Sequence, residues 1–289
     1  MTVKKMKVAA ILFACVVSFS SCVNLDHINK YAHSSAESLQ KANDIPFCFS
    51  DYCQHFQEAA LTNSIQTDIA PLPKLDCKFY SNSDSALQIF NHVLLAYLQG
   101  LEKLSDKDLI NYKLDNAASN LQTLQGQIGW TVGDTQVTAT KNIVAKLLNN
   151  LMNHYRKKKL QQIIEGSKND FKTVIEGYMI GIQALQSEAK LALRNYQDFY
   201  SDPLLEMSKE NALKTLLVRD YHRQENIFAK TDAAIESYLK ILKKIESGYL
   251  ELCDASHHLT ADDLKASLQQ CVADLNYLKN QMEDLKTSN

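Results

Sequence analysis

Apolar residues recur at helical spacing along almost the whole chain, and the last two segments are the most regular. Steps of three and four residues separate Ile235, Tyr238, Leu242, Ile245, Tyr249 and Leu252. The same steps separate Leu264, Leu268, Cys271, Leu275, Leu278, Met282 and Leu285. Such heptad seams pack helix against helix at a small crossing angle. With the polar segment 254–260 between them, the two seams predict an antiparallel helical hairpin.

Helical periodicity continues upstream of this hairpin. It predicts helices at 24–43, 48–60, 84–104, 107–125, 135–165, 167–202 and 206–253, with breaks placed at Gly166-Ser167 and at Asp202-Pro203. No useful length of sequence alternates with period two, so little or no sheet is expected. A helix of nearly 50 residues would span about 70 Å. The pattern predicts an all-α fold, an elongated bundle of long antiparallel helices that is three or four helices across.

Composition supports long helices and suggests three segments. The 289 residues include only 8 Gly and 4 Pro, the residues that most strongly interrupt regular structure. Residues 1–21 form an expected signal peptide, 22–82 an N-terminal region of short helices and a cysteine-containing loop, and 83–289 the elongated bundle. The loop is expected at 62–85, which holds two of the prolines and many turn-forming residues.

The cysteines predict one disulfide near this loop. A loop of this length in a compact protein needs fastening, and a bridge from Cys77 to either Cys53 or Cys48 would provide it. Cys253 and Cys271 are a less suitable pair. An antiparallel hairpin places Cys271 about 8 to 13 Å along the helix from the position opposite Cys253, beyond the reach of a disulfide. Cys271 is therefore expected either as a buried thiol or bridged to an N-terminal cysteine.

Residues 4–22, KKMKVAAILFACVVSFSSC, predict export. Three lysines precede an apolar run that is too short to span a bilayer but typical of a signal peptide. Phe19-Ser20-Ser21-Cys22 resembles the lipobox of bacterial lipoprotein precursors, with Phe in place of the usual Leu. The resemblance implies that Cys22 becomes the acylated N-terminus, carrying for example palmitate. Ordinary signal cleavage after Ser20 is the alternative.

Charge and motif content point away from most catalytic functions. The net charge is −2, and loss of residues 1–21 removes three lysines, so a nucleic-acid partner is not expected. No Glu-x-x-His pair, phosphate-binding glycine loop or nucleophile elbow occurs. The sequence predicts no catalytic residue, no metal site, no cofactor and no small-molecule substrate.

Four polar or glycine clusters have a structural and a functional interpretation. His257-His258 beside Asp254 is expected as a hairpin turn rather than a metal site. Asp220, His222 and Glu225 are expected on a solvated face. The basic run 156–159 is either an exposed face or a contact for acidic partners or lipid headgroups. Gly177 and Gly181 predict close approach of a neighbouring helix.

The functional expectation is a non-enzymatic, membrane-tethered lipoprotein of the bacterial envelope. It would be anchored to the outer membrane or face the periplasm, and would act through protein–protein contacts as a scaffold, adaptor or toxin-immunity protein. A secreted helical pore-forming toxin is the alternative, although no apolar segment after residue 22 is long enough to insert into a bilayer.

Overall fold

A computed structural model describes residues 25–67, 76–105, 116–150, 156–201 and 211–287. Within these ranges the chain is all-α and has no strand, as the periodicity predicted. The helices are α1 (Asp26–Leu39), α2 (Phe49–Thr67), α3 (Lys78–Ser105), α4 (Ala117–Leu124), α5 (Asp134–Asn150), α6 (Arg156–Ser201), α7 (Asn211–Asp254) and α8 (Asp262–Thr287). Short 3-10 turns follow α1 (Gln40–Asp44) and α7 (Ser256–His258).

Helices α6 and α7 form the long axis of the bundle. They contain 46 and 44 residues, which correspond to lengths of about 69 and 66 Å. They are antiparallel, because Phe171 contacts Tyr249 near one end and Tyr196 contacts Phe228 near the other. Helices α2, α3 and α5 also pack against α6. The expected elongated bundle of long helices is confirmed.

The antiparallel α7–α8 hairpin is confirmed as well. Lys244 of α7 forms an ion pair of 2.5 Å with Asp274 of α8, and Ser267 hydrogen-bonds to Glu251 nearer the turn. Helix α1 lies alongside this hairpin and α3. Helix α1, which has 14 residues, is thus part of the main bundle and covers its core.

Five fully buried tyrosines connect the helices through their hydroxyl groups: Tyr31, Tyr97, Tyr178, Tyr238 and Tyr249. Tyr249 donates to the carbonyl oxygen of Ile164 at 3.1 Å. Tyr238 donates to the carbonyl oxygen of Leu39 at 3.0 Å. A hydroxyl has one proton, so Tyr178, whose oxygen lies 3.1 Å from that of Tyr238, is the donor in that pair.

This donor order predicts unequal effects of two similar substitutions. Tyr238→Phe removes the bond to the Leu39 carbonyl and leaves the buried Tyr178 hydroxyl without its acceptor, and should cost about 2 kcal/mol of unfolding free energy. Tyr178→Phe removes one bond and leaves Tyr238 bonded to Leu39, so about 1 kcal/mol is expected. Urea unfolding followed by circular dichroism measures both. The exposed Tyr277→Phe is the control, and a larger loss for Tyr178→Phe would contradict the donor order.

Two predictions of helix boundaries were wrong. The break expected at Gly166-Ser167 is absent, because α6 continues through it. One glycine costs a helix only about 1 kcal/mol, and the buried side chains Ile163, Ile164 and Phe171 on either side favour continuation. The helix expected at 135–165 ends earlier, since α5 and α6 are antiparallel neighbours joined by the ion pair of Lys146 and Asp170, with 2.6 Å between Nζ and Oδ2.

The N-terminal loop was predicted too long. Helix α2 extends to Thr67 and α3 begins at Lys78, so most of the segment 62–85 that is described is helical. Packing of α3 against α1 and α6 outweighs the turn-forming residues Ser81, Asn82 and Ser83 in its first turns. The weaker helix expected at 107–125 is present as α4, while residues 106–115 lie outside the described ranges.

Close approach at Gly177 and Gly181 is confirmed. A Cβ atom on Gly181 would lie 2.6 Å from a methyl carbon of Leu87 and 2.8 Å from the ring of Trp130. One on Gly177 would lie 3.0 Å from Gln136. The two glycines let α3 and the segment before α5 pack directly against the backbone of α6.

Candidate functional site at the far end of the bundle

A disulfide fastens α2 to α3 near one end of α6. Cys53 and Cys77 are bridged, with their Cα atoms 5.8 Å apart, so the structure contains one of the two bridges that the sequence left open. Cys48 is a free, partly buried thiol, and burial together with the neighbouring Asp51 raises its pKa to about 12. Cys22, the expected lipidation site, lies outside the described residues.

The N-terminus of α2 is held by a side chain from α3. Asp84 accepts hydrogen bonds from the backbone N–H groups of Phe49 and Ser50 at 2.8 and 2.9 Å and from the Ser50 hydroxyl at 2.6 Å. A carboxylate at this position satisfies free N–H groups and interacts favourably with the helix dipole. The first turn of α2 is therefore fixed on α3 next to the disulfide.

An aromatic cluster joins α2 to α6 and α7. Phe47, just before α2, packs edge-on against Phe228 with ring centroids 5.8 Å apart. Tyr196 lies against Phe228 at 5.7 Å, and its hydroxyl is 2.8 Å from Nδ1 of His55. Burial, with smaller contributions from Glu58 and Asp220, raises the pKa of Tyr196. Its phenol therefore stays protonated at neutral pH while it shares a hydrogen bond with His55.

The cavity beside this cluster is small. It measures about 10 Å³ and is lined by Tyr52, His55, Phe56, Ala192, Asn195 and Tyr196. Such a volume holds about one water molecule. This cavity cannot accept an organic substrate without rearrangement, and the cluster is best interpreted as the packing that supports the ends of α6 and α7.

One face of α7 changes from buried to exposed along the helix. In the second half of α7 it is buried at steps of three and four residues, at Ala234, Ser237, Ile241, Ile245 and Gly248. Helices α1 and α8 provide the cover. The Tyr31 hydroxyl of α1 donates to the carbonyl oxygen of Ile245 at 2.6 Å. The Cys271 sulfur of α8 lies 3.5 Å from the backbone carbonyl oxygen of Lys244. We call this part the covered seam.

The same face continues toward the start of α7, where its side chains are exposed. Leu216, Arg219, Arg223 and Ile227 extend the spacing of the covered seam, and all four are exposed. Leu216 is 61% exposed and Ile227 41%. We call these four residues the outer seam. Helix α1 ends at Leu39, whose carbonyl receives the Tyr238 hydroxyl, and Ile227 lies 11 residues before Tyr238 along α7.

The charge of the outer seam is positive. Among the described residues of α7, Asp220 is the carboxylate on the same face, and both of its oxygens are engaged. Oδ2 accepts from the Tyr200 hydroxyl and Oδ1 from Arg223, each at 2.5 Å. Glu225 lies on the opposite side of the helix, bonded to Tyr221 and His222. The ion pair of Arg223 with Asp220 neutralises both groups, so Arg219 gives this face a net charge of +1 between the two exposed apolar side chains.

The outer seam and the described N-terminal end of the chain lie at opposite ends of the bundle. His27, in the first turn of α1, is 2.7 Å from the carbonyl oxygen of Leu259 in the α7–α8 turn. Helix α7 rises about 57 Å between Leu216 and that turn. Residue 25, three positions after Cys22, is therefore far from the outer seam.

The other sequence-predicted clusters have structural roles. His257 accepts from Gln161 at 2.7 Å, in keeping with a hairpin turn. Asp220, His222 and Glu225 lie on a largely solvated helix, as expected. The basic run 156–159 begins α6, where Lys158 is exposed. Among the described residues, no group of three or more potential ligands is arranged to hold a metal ion.

Cys253 and Cys271 are both buried free thiols. The prediction that they do not bridge each other is confirmed, and of the two alternatives for Cys271 the structure has the buried thiol. Each lies near a backbone carbonyl oxygen, that of Ile164 at 3.6 Å for Cys253 and that of Lys244 at 3.5 Å for Cys271. Burial raises their pKa values to about 11 and about 12 respectively. Both thiols therefore stay protonated and unreactive at neutral pH.

Comparison with protein-family models, with curated proteins and with solved structures yields no match. In the described part of the chain, no helix has the length and apolar character needed to cross a membrane. The outer seam is the one functional candidate that our sequence interpretation missed. The sequence contains a pattern that indicates this face, because the three-and-four spacing of Ala234 and Ile241 extends upstream through Ile227 to Leu216.

Proposed function

We propose that this chain is a non-enzymatic envelope lipoprotein that acts by binding another protein through the outer seam. The observation that carries the proposal is the uncovered continuation of a helix-packing face at Leu216 and Ile227. An apolar seam that is covered along half of a helix and bare along the other half is an incomplete helix–helix interface. A partner that completes it would bury both side chains.

The position of the outer seam supports the tethered part of the proposal. An acyl chain on Cys22 would place the α7–α8 turn near the membrane, because the first turn of α1 contacts that turn through His27. The outer seam would then stand roughly 55 Å from the anchored end. This arrangement suits a scaffold, an adaptor or an immunity protein that meets its partner away from the lipid surface.

Site-specific photo-crosslinking in the producing cell tests the contact. A photoreactive amino acid at Leu216 or Ile227 should give an adduct with a protein of defined mass. The same amino acid at Tyr277 is the control, because Tyr277 is 62% exposed and lies on α8 outside the seam. Equal labelling at Tyr277, or no adduct at either seam position, would contradict the proposed contact.

The lipid anchor needs its own measurement. Cys22→Ser should move the protein from the membrane fraction to the soluble fraction and remove an acyl group detectable by intact mass. Cys48→Ser, which replaces a free thiol of the folded protein, should leave both unchanged. A wild-type mature protein that begins at Ser21 and is soluble would contradict the lipoprotein assignment.

A further inference from the structure

We infer that the partner of the outer seam is an α-helix whose apolar positions are flanked by carboxylates. This inference rests on the proposed function and specifies its partner class. Two features carry it: the outer seam continues an existing helix–helix interface, and its charged residues are all cationic.

Continuity with the covered seam selects a helix as the occupant. Helix α8 packs on this face so closely that its Cys271 thiol would be 2.8 Å from a Cβ atom on Gly248. The same three-and-four spacing continues through the outer seam, so an added helix can follow the line of α8 past its last described turn. Residues 211–230 of α7, which carry the outer seam on one face, span about 30 Å, which corresponds to about five helical turns.

Charge selects an acidic helix. Arg219 and Arg223 project on the seam itself, and Asp220 pairs with Arg223 and accepts from Tyr200, so two cations face one carboxylate and the net charge is positive. A second copy of this chain would bring the same arginines against each other, which costs binding energy. Glutamate or aspartate beside the apolar positions of a partner helix would instead pair with Arg219 and share Arg223 with Asp220.

A membrane surface fits the outer seam less well. Amphipathic helices that lie in lipid present a wide apolar face. The outer seam has two apolar side chains separated by two arginines, and Thr215 and Asn226 on the same side are exposed and polar. A narrow apolar stripe between charges is instead the pattern of a helix-packing seam.

Two fluorescent helical peptides of about 20 residues test the inference on the full mature protein. Both have leucine at alternating three- and four-residue spacing, and the flanking positions are glutamate in one and lysine in the other. The glutamate peptide should bind at least about tenfold more tightly, as expected for two rim charge pairs, and the preference should weaken with salt. Anisotropy measures both affinities.

Charge reversal supplies the matched comparison. The double variant Arg219→Glu with Arg223→Glu should reverse the preference in favour of the lysine peptide. The control, Lys240→Glu with Lys243→Glu, changes the net charge by the same amount at exposed positions of α7 outside the seam and should keep the preference for glutamate. Equal affinity of the two peptides, or reversal by the control pair, would overturn the inference.

Three further results separate this inference from the proposed function. An adduct at Leu216 that proves to be a dimer of this chain overturns the inference. So does binding to anionic vesicles that is lost in the double variant Leu216→Ser with Ile227→Ser. A protein adduct at Leu216 combined with peptides that bind without charge preference overturns the acidic-helix inference and leaves the proposed function standing.

Discussion

Loss of the Cys53–Cys77 disulfide is expected to cost about 3.5 kcal/mol of unfolding free energy. The estimate follows from the loop entropy that a bridge with a sequence separation of 24 removes from the unfolded chain. The double variant Cys53→Ala with Cys77→Ala, studied by urea unfolding, measures the loss. Cys48→Ala is the control, because Cys48 is a free thiol in the same region, and should cost about 1 kcal/mol or less.

The loss should also be local. Helix α2 is held by the bridge, by Asp84 and by the aromatic contacts of His55, whereas the buried tyrosines join α1, α3, α6 and α7 independently of it. Amide hydrogen exchange should therefore accelerate within residues 49–58 and change little around Tyr238 and Tyr249. Uniform acceleration across the bundle, or stability equal to that of the wild type, would show that the bridge does not fasten α2.

Gly248→Leu is expected to destabilise the protein by about 3 kcal/mol or more. Even a Cβ atom at this position would lie 2.6 Å from the ring of Tyr31 and 2.8 Å from the Cys271 sulfur. Tyr31 cannot move aside easily, because its hydroxyl donates to the Ile245 carbonyl. Overpacking of a rigid core forces backbone shifts of this cost, and α1 and α8 would both be displaced.

Gly166→Leu is the matched control on another long helix. Gly166 is helical and exposed, and its nearest neighbour, the Lys146 side chain, is 3.9 Å from a Cβ atom placed there. Leucine is a better helix former than glycine by nearly 1 kcal/mol, so a small gain or no change is expected. Thermal and urea unfolding of both variants measure the contrast, and equal losses would contradict the packing described for Gly248.

Much of the fold followed from local pattern. The seams from Ile235 to Leu252 and from Leu264 to Leu285 specify their helices because each buries one continuous apolar stripe. The short turn between them leaves an antiparallel hairpin as the simple arrangement. The same register correctly separated Cys253 from Cys271. These predictions depend only on 3.6-residue periodicity and on distance along a helix, which the sequence contains directly.

Predictions failed where distant contacts outweigh local preference. The glycine at 166 signalled a break, yet α6 continues because the residues around it are buried by α3, α5 and α7. Ser81, Asn82 and Ser83 signalled a loop, yet they lie in α3, where Ser83 is buried and its hydroxyl accepts from the N–H of Gly129 at 2.8 Å. Local propensities of about 1 kcal/mol per residue are smaller than these packing energies.

By itself, the sequence determined the all-α class, the long helices, the final hairpin and the placement of one disulfide around Cys77. Only the tertiary structure decided that Cys53 is the partner of Cys77, that Gly248 is a contact point, and that Leu216 and Ile227 are uncovered. The physical reason is that periodicity shows which face of a helix is apolar. Whether that face is buried depends on where neighbouring helices end, and here α1 and α8 end before the outer seam begins.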